Sequence, residues 1–157
     1  MKGQAMRILI VDDEAGKREK IREFVLSEVP DCDLFEARSF QSAIECIKKS
    51  TFDLIILDMR LSTYDASAAA AGGRPRNFGG EEIMRRMTRR RIVSPIVVLT
   101  QYTLFDDHGK FFSFEQISER LRMDHPNFHS MIHFSHSNSQ WKTNLRTVLN
   151  VKTNKSL

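Results

Sequence analysis

Short apolar runs alternate with stretches of helical periodicity along this chain. The runs RILIV at 7–11, LIIL at 54–57 and PIVVLT at 95–100 contain no polar alternation, which is typical of strands buried on both faces of a parallel sheet. Weaker patterns predict two further strands, at 32–37 and at 129–135. The sequence therefore predicts five strands.

Between these strands, apolar residues recur every three or four positions, as they do on the buried side of a helix. The first predicted helix places Ile21, Phe24 and Val25 inward and stops before Pro30. A capping box at 113–116, formed by a serine and a glutamine, begins the fourth helix. The inward residues of the other helices are Phe40, Ala43, Ile44 and Ile47, then Ile83, Met84 and Met87, then Ile117 and Leu121, and last Trp141, Leu145, Val148 and Leu149. Five strands alternating with five helices predict an α/β fold.

Polar residues follow three of the predicted strands. Asp12 and Asp13 end the first, Asp58 ends the third and Thr100 ends the fourth. One such aspartate is explained equally well by a turn, but right-handed crossovers bring the ends of parallel strands to one edge of the sheet. Clustered carboxylates repel one another unless a cation holds them, and hard oxygen ligands favour magnesium or calcium. Because Mg²⁺ often includes phosphate oxygens in its coordination shell, a phosphoryl group is the ligand expected at this site.

Length and composition limit the class of protein. The 157 residues are 41% hydrophobic, enough for one well-buried domain and too few for two ordinary ones. A net charge of +4 does not by itself indicate nucleic-acid binding. Cys32 and Cys46 are the only cysteines, and no apolar run approaches the length of a membrane helix. We expect a soluble, cytoplasmic protein with reduced thiols packed as small core residues.

The motifs ILIVDDE, DLIILDMRL and PIVVLT resemble those of the receiver domains of two-component response regulators. They occur in the same order and cover almost the whole chain. The resemblance implies a flavodoxin-like, doubly wound sheet of five parallel strands in the order 2-1-3-4-5, flanked by five helices.

The same resemblance implies roles for individual residues. Asp58 is the expected phosphoacceptor, and Asp12 and Asp13 are the acidic pair that binds Mg²⁺ with it. The backbone carbonyl of Arg60, two positions beyond the acceptor, is a further expected metal ligand. Thr100 is the expected switch hydroxyl that follows phosphorylation.

These expectations describe a bacterial receiver domain without an output domain, not an enzyme beyond its own phosphorylation and dephosphorylation. The partners implied are a sensor histidine kinase or a phosphotransfer protein, and an unknown downstream protein; neither a membrane nor nucleic acid is expected. One alternative is a pseudoreceiver that binds partners independently of phosphate. Another is a magnesium-dependent phosphohydrolase with an aspartyl nucleophile, disfavoured because Arg60 stands where that chemistry usually has a second acid.

The sequence departs from the family after the fifth predicted strand. Receivers usually carry a lysine there, followed by proline, and its ammonium pairs with the phosphoryl group. The segment here is IHFSHSNSQW, in which Ser135 or His136 takes the place of the lysine. Neither copies the point charge of an ammonium, so phosphate signalling is expected to be weakened, rewired or lost. Lys142, or an arginine of an inserted loop, is the alternative source of a cation.

Two insertions interrupt the expected pattern, near 62–79 and near 103–113. We interpret each as a surface loop, with a lid or a partner surface as the alternative. The expected domain covers 1–151, and 152–157 form a polar tail.

Two other features have simpler explanations than a binding site. Arg85, Arg86, Arg89 and Arg90 lie on the outer face of a predicted helix, which indicates a solvated or protein-binding surface rather than a nucleic-acid site. The histidines between 129 and 136 lack the spacing and the cysteine support of a zinc site.

Overall fold

The computed structural model describes residues 4–66 and 73–155. Its elements, in chain order, are β1 (Arg7–Val11), α1 (Ala15–Glu28), β2 (Asp33–Ala37), α2 (Phe40–Lys49), β3 (Leu54–Leu57), β4 (Leu61–Ser62), β5 (Pro75–Arg76), α3 (Gly79–Arg89), β6 (Ile96–Thr100), β7 (Leu104–Asp107), β8 (Lys110–Ser113), α4 (Phe114–Asp124), β9 (Phe128–His133) and α5 (Gln140–Lys155).

A central sheet of five parallel strands has the order β2-β1-β3-β6-β9. This is the predicted flavodoxin-like order, because β6 and β9 are the fourth and fifth strands of the sequence pattern. In the middle of the sheet Ile10 of β1 pairs with Ile56 of β3, and Ile56 pairs with Val97 of β6. These strands are continuous apolar runs because both of their faces are covered by helices.

Alternate residues of each strand enter different cores. Leu9 and Leu57 pack in the core that contains residues of α2, α3 and α4. Ile10 and Ile56 pack in the other core, with residues of α1 and α5. The strand period of two thus divides one apolar run between two helical layers. In the second layer Trp141 of α5 is buried, with its ring 5.5 Å from that of Phe24.

Local sequence signals set several helix boundaries. Helix α1 ends at Glu28, just before Pro30, as the sequence predicts. The Ser113 hydroxyl accepts from the backbone N–H of Gln116, whose side chain accepts from the backbone N–H of Ser113. This is the predicted capping box. Ser39 and Ser42 form an equivalent box at the start of α2.

The two insertions contain antiparallel hairpins, which the sequence pattern did not predict. Strands β4 and β5 pair Leu61 with Arg76 at the base of the first insertion, of which residues 67–72 lie outside the described part. In the second insertion β7 and β8 are joined at His108 and Gly109, whose φ values of 54° and 87° are both positive. Two positive φ values are the hallmark of a tight type I′ turn.

The last helix extends further than the sequence pattern suggests. Helix α5 continues to Lys155, so residues 152–155 of the expected tail belong to its last turn. None of the helices that the structure describes combines the length and apolar character needed to cross a membrane.

Candidate functional site

Three aspartates meet at the carboxyl edge of the sheet. Asp12 and Asp13 follow β1, and Asp58 follows β3, its direct neighbour in the sheet. One carboxylate oxygen from each lies within 4.8 Å of the others. The parallel pairing of β1 and β3 creates this cluster, because it brings residues distant in sequence to one edge.

The three carboxylates have different surroundings. Asp12 and Asp58 are buried, whereas Asp13 is exposed. Asp58 Oδ1 accepts a hydrogen bond from the backbone N–H of Met59 at 2.7 Å. Asp13 Oδ2 accepts from both the backbone N–H and the hydroxyl of Ser62, at 2.9 and 2.8 Å. The start of the β4–β5 hairpin thereby orients the exposed carboxylate.

A lysine that sequence reasoning missed completes the cluster. Lys17 of α1 is fully buried, and its Nζ lies 2.8 Å from Asp12 Oδ2 and 3.1 Å from Asp58 Oδ2. It also donates to the backbone carbonyl of Leu99 at 2.7 Å. The available signal was helical spacing, because Lys17 lies one turn before Ile21 on the inward side of α1. A lysine at an inward position of a helix does not by itself predict a site, because its partners are known only from the tertiary structure.

Burial and charge act on these groups in opposite directions. Burial raises the pKa of Asp58 to about 7; Lys17 opposes this rise, and Asp12 adds to it. Burial likewise raises the pKa of Asp12, against the effect of Lys17. Burial alone would lower the pKa of the Lys17 ammonium, but the neighbouring Asp58 and Asp12 carboxylates outweigh it and raise that pKa. Lys17 therefore keeps its positive charge beside the two buried carboxylates.

An open cleft of about 360 Å³ gives access to Asp58 from solvent. Its lining consists of Asp13, Glu14, Asp58, Arg60, Pro75, Gln101 and Tyr102. The exposed Arg60 guanidinium lies 3.5 Å from the Tyr102 hydroxyl and 5.9 Å from the centroid of its ring. Thr100 is buried at the end of β6, and its Oγ1 accepts from the backbone N–H of Tyr102 at 3.3 Å. Thr100 and the cleft wall are thus joined through Tyr102.

Ser135 and His136 have partners of their own. The Ser135 hydroxyl lies 2.8 Å from that of Ser137. His136 Nδ1 lies 3.0 Å from the Lys20 ammonium, and its Nε2 lies 2.8 Å from Glu14. Because an ammonium only donates, Nδ1 accepts from Lys20. The cation in contact with Asp58 comes from α1 instead.

The donor set fits a hard divalent cation. With the carboxylates ionised, three negative charges and the one positive charge of Lys17 leave a net charge of minus two. Carboxylate oxygens beside an open, hydrated cleft are the ligands that Mg²⁺ uses, since it keeps several of its waters. Among the described residues, this is the one group of His, Cys, Asp and Glu side chains close enough to hold a metal.

The arginines and cysteines fit their simpler interpretations. Arg85 and Arg86 pair with Glu81 and Glu82 one turn earlier on α3, and Arg89 and Arg90 are exposed. Cys32 and Cys46 are free, partly buried thiols packed against the two cores. Burial raises the pKa of both thiols, which disfavours the reactive thiolate.

Comparisons with known proteins agree with this geometry. Residues 8–72 match the family model described as "Response regulator receiver domain". The chain is 29% identical over 143 residues to the Detocs response regulatory protein DtcB of Enterobacter cloacae, an alignment that covers 89% of this chain and 95% of that protein.

Solved structures show the same fold. A CheY-like response regulator receiver domain protein of Methanospirillum hungatei superposes with a TM-score of 0.61 at 16% identity, covering 98% of this chain and 97% of that one. The response regulator TrrA of Thermotoga maritima, solved in complex with Mg²⁺ and BeF, gives a TM-score of 0.54 at 21% identity and covers 97% and 99%.

A doubly wound parallel sheet with an acidic cluster at its carboxyl edge places the chain in the class of flavodoxin-like α/β domains. Within that fold class, residues 8–72 match the response regulator receiver domain family, and the chain is similar over most of its length to a response regulatory protein.

Proposed function

We propose that this chain is a receiver domain that accepts a phosphoryl group on Asp58, with Mg²⁺ held at Asp12, Asp13 and Asp58, and signals through protein–protein contacts. The observation that carries the proposal is the cluster itself, in which three carboxylate oxygens lie within 4.8 Å of one another and Asp58 lines an open cleft. The relative TrrA was solved with Mg²⁺ and BeF, which supports the same type of ligand here.

Asp58 acts as a carboxylate nucleophile. One of its oxygens forms a new bond to phosphorus while the bond from phosphorus to the donor nitrogen breaks. The electron pair of that bond stays on the nitrogen, which leaves with a proton taken from water. Met59 contributes by holding Asp58 Oδ1 through its backbone N–H, which fixes the rotation of the carboxylate. A bound Mg²⁺ supplies neutralisation of the charge on donor and acceptor oxygens.

Asp12 and Asp13 would hold the metal from the β1 side, and the Arg60 backbone carbonyl would be the further ligand. Ser62 fixes Asp13 through two hydrogen bonds, so this exposed carboxylate is already oriented toward the cluster. Such preorganisation reduces the conformational entropy that metal binding would otherwise have to overcome.

Thr100 carries the signal. Its hydroxyl accepts from Tyr102 in this structure, and we expect it to donate to a phosphoryl oxygen once Asp58 is modified. That donation draws the segment after β6 toward Asp58 and moves Tyr102 and the adjacent β7–β8 hairpin. A charge-assisted contact of about 1.5–3 kcal/mol is sufficient to bias a two-state loop.

The partners proposed are a sensor histidine kinase or a phosphotransfer protein as donor, and a downstream protein that reads the changed surface, all in the cytoplasm. Nucleic acid is not part of the proposal, because two of the arginines on the outer face of α3 pair with glutamates of the same helix.

The test is intact-protein mass spectrometry after incubation with Mg²⁺ and phosphoramidate. We expect the wild type to gain the mass of one phosphoryl group and Asp58→Asn to gain none. Asp53→Asn is the matched control, because Asp53 lies at the opposite end of the same strand and accepts from the backbone of Arg7. It should be phosphorylated like the wild type.

Absence of a mass gain in the wild type, together with no response to beryllofluoride, would favour the pseudoreceiver. Continuous release of phosphate from unrelated phosphate esters would favour the phosphohydrolase instead.

A further inference from the structure

Lys17 occupies a position in α1 that would normally be apolar. It lies on the inward side of the helix, one turn before Ile21, and its exposed fraction is 0%. A buried ammonium is strongly destabilising unless its charge is paired and its donors are satisfied. Residues at this depth usually serve packing, so a fully buried lysine needs a specific explanation.

The ammonium is completely satisfied, and its partners come from three neighbouring strands. Its three N–H donors match Asp12 after β1, Asp58 after β3, and the carbonyl of Leu99 in β6. The ring of Phe134, just after β9, lies 5.6 Å from Nζ, within the range of a cation–π contact. Lys17 is thereby fixed at the carboxyl edge of the sheet and contacts the carboxylate of Asp58.

The segment after β9 has no lysine to offer. Phe134 and Ser135 occupy the positions directly after β9. The Phe134 backbone N–H donates to the Thr100 carbonyl, and the Ser135 hydroxyl hydrogen-bonds to that of Ser137. The Phe134 ring lies beside the Lys17 ammonium. A cation therefore reaches Asp58 from the first helix, and the segment after β9 places the aromatic ring of Phe134, not a lysine, beside it.

We infer that Lys17 is the cation of the phosphorylation site, binding the phosphoryl group on Asp58 in place of the lysine that receivers usually carry after the fifth strand. This inference rests on the proposed phosphorylation of Asp58. When the Asp58 oxygen bonds to phosphorus, the negative charge moves from the carboxylate to the phosphoryl oxygens. Lys17 then exchanges its contact with Asp58 for one with a phosphoryl oxygen, while Asp12 keeps the ammonium in place.

The contact with Leu99 gives this exchange a route to the switch. Leu99 immediately precedes Thr100 in β6, and Lys17 donates to its carbonyl at 2.7 Å. A movement of the ammonium toward the phosphoryl group therefore pulls on the backbone that carries the Thr100 hydroxyl. Lys17 contacts both the acceptor Asp58 and the backbone next to the switch residue Thr100. The exposed Arg60 side chain does not combine these two contacts.

The experiment measures binding of beryllofluoride, a phosphoryl mimic, by calorimetry with Mg²⁺ present. We expect Lys17→Met to weaken binding at least about tenfold, which corresponds to about 1.4 kcal/mol. Lys20→Met is the matched control, because Lys20 lies about one turn later on α1, is exposed and contacts His136. It should bind within about twofold of the wild type. Equal binding by Lys17→Met and Lys20→Met would overturn the inference.

A second arm needs no variant of the buried lysine, and it decides the question if Lys17→Met does not fold. In the wild type with bound beryllofluoride, we expect a proton–fluorine nuclear Overhauser effect between the Lys17 ammonium and the fluorides. Its absence, with binding otherwise intact, would overturn the inference.

The third arm places a lysine after β9. Because Lys17 already supplies the ammonium, Ser135→Lys should leave affinity within about twofold, and a tenfold gain would show that the site had lacked a cation. Failure of the wild type to bind beryllofluoride at all would instead refute the proposed phosphorylation of Asp58, so the two failures are distinguishable.

Discussion

Replacing Gly80 with alanine should force the first turn of α3 away from the end of β3. The Gly80 N–H donates to the carbonyl of Met59 at 2.8 Å. A β-carbon at position 80 would overlap the carbonyl oxygen of Asp58 and lie 3.0 Å from the Cα of Met59. Both are backbone atoms, so no side-chain rotation relieves the overlap. Either α3 or the Asp58 segment must move.

The expected magnitude follows from two opposing effects. Overpacking of a close contact destabilises by about 1–3 kcal/mol, and the upper part of that range applies because both obstacles are backbone. Alanine is the better helix former by at most about 1 kcal/mol, which offsets part of this loss. We expect the free energy of unfolding to fall by about 1–2 kcal/mol, or a Tm lower by about 2–8 °C for a protein of this size.

Urea unfolding followed by fluorescence provides the assay, because Trp141 is the one tryptophan in the sequence and is buried in the second core. Gly16→Ala is the matched control. Gly16 is exposed in α1, and the nearest atom to its added β-carbon is His136 Cε1 at 4.0 Å. That variant should be as stable as the wild type or slightly more so. If Gly80→Ala has the same midpoint and slope as Gly16→Ala, α3 does not press on β3 as described.

Three further predictions concern other parts of the molecule. Asp13→Ala should weaken Mg²⁺ binding sharply, since a strongly hydrated ion has few protein contacts to lose; an unchanged magnesium titration would refute this ligand assignment. Burial lowers the pKa of His125 below its ordinary 6.5, so the unfolded chain binds the proton more readily and stability falls as the pH drops below about 6.5. His125→Gln should flatten that decline in unfolding measured at successive pH values, and an equally steep decline would contradict the assignment. Glu81→Gln should lower the free energy of unfolding by about 1 kcal/mol, because Glu81 is buried and receives two hydrogen bonds from Arg120 of α4; a thermal scan identical to that of the wild type would exclude this link between α3 and α4.

The central fold was predictable because its signals are local. Each inner strand is a continuous apolar run, and the helices repeat their apolar positions with a period close to 3.6 residues. Asp58 stood out because an apolar run ended on a carboxylate. The strand order followed from the resemblance to receivers, and the observed order β2-β1-β3-β6-β9 confirms it.

The hairpins in the insertions were not predictable from periodicity. Strands β4 and β5 contain two residues each, too few to show an alternation. The β7–β8 hairpin depends on a turn at His108 and Gly109 with two positive φ values. A histidine in the sequence does not by itself predict a positive φ. Short strands pair because the flanking chain brings them together, and that is a tertiary property.

The sequence by itself determined the layered α/β fold, the convergence of Asp12, Asp13 and Asp58 at one edge, and the lack of a lysine directly after the last strand. Only the tertiary structure decided that an ammonium is nevertheless in place. Lys17 looks from the sequence like any lysine near the start of a helix. Its contact with Asp58 exists because α1 packs on β1 and β3 with that side of its first turn inward. A local sequence pattern does not predict how one element packs on another.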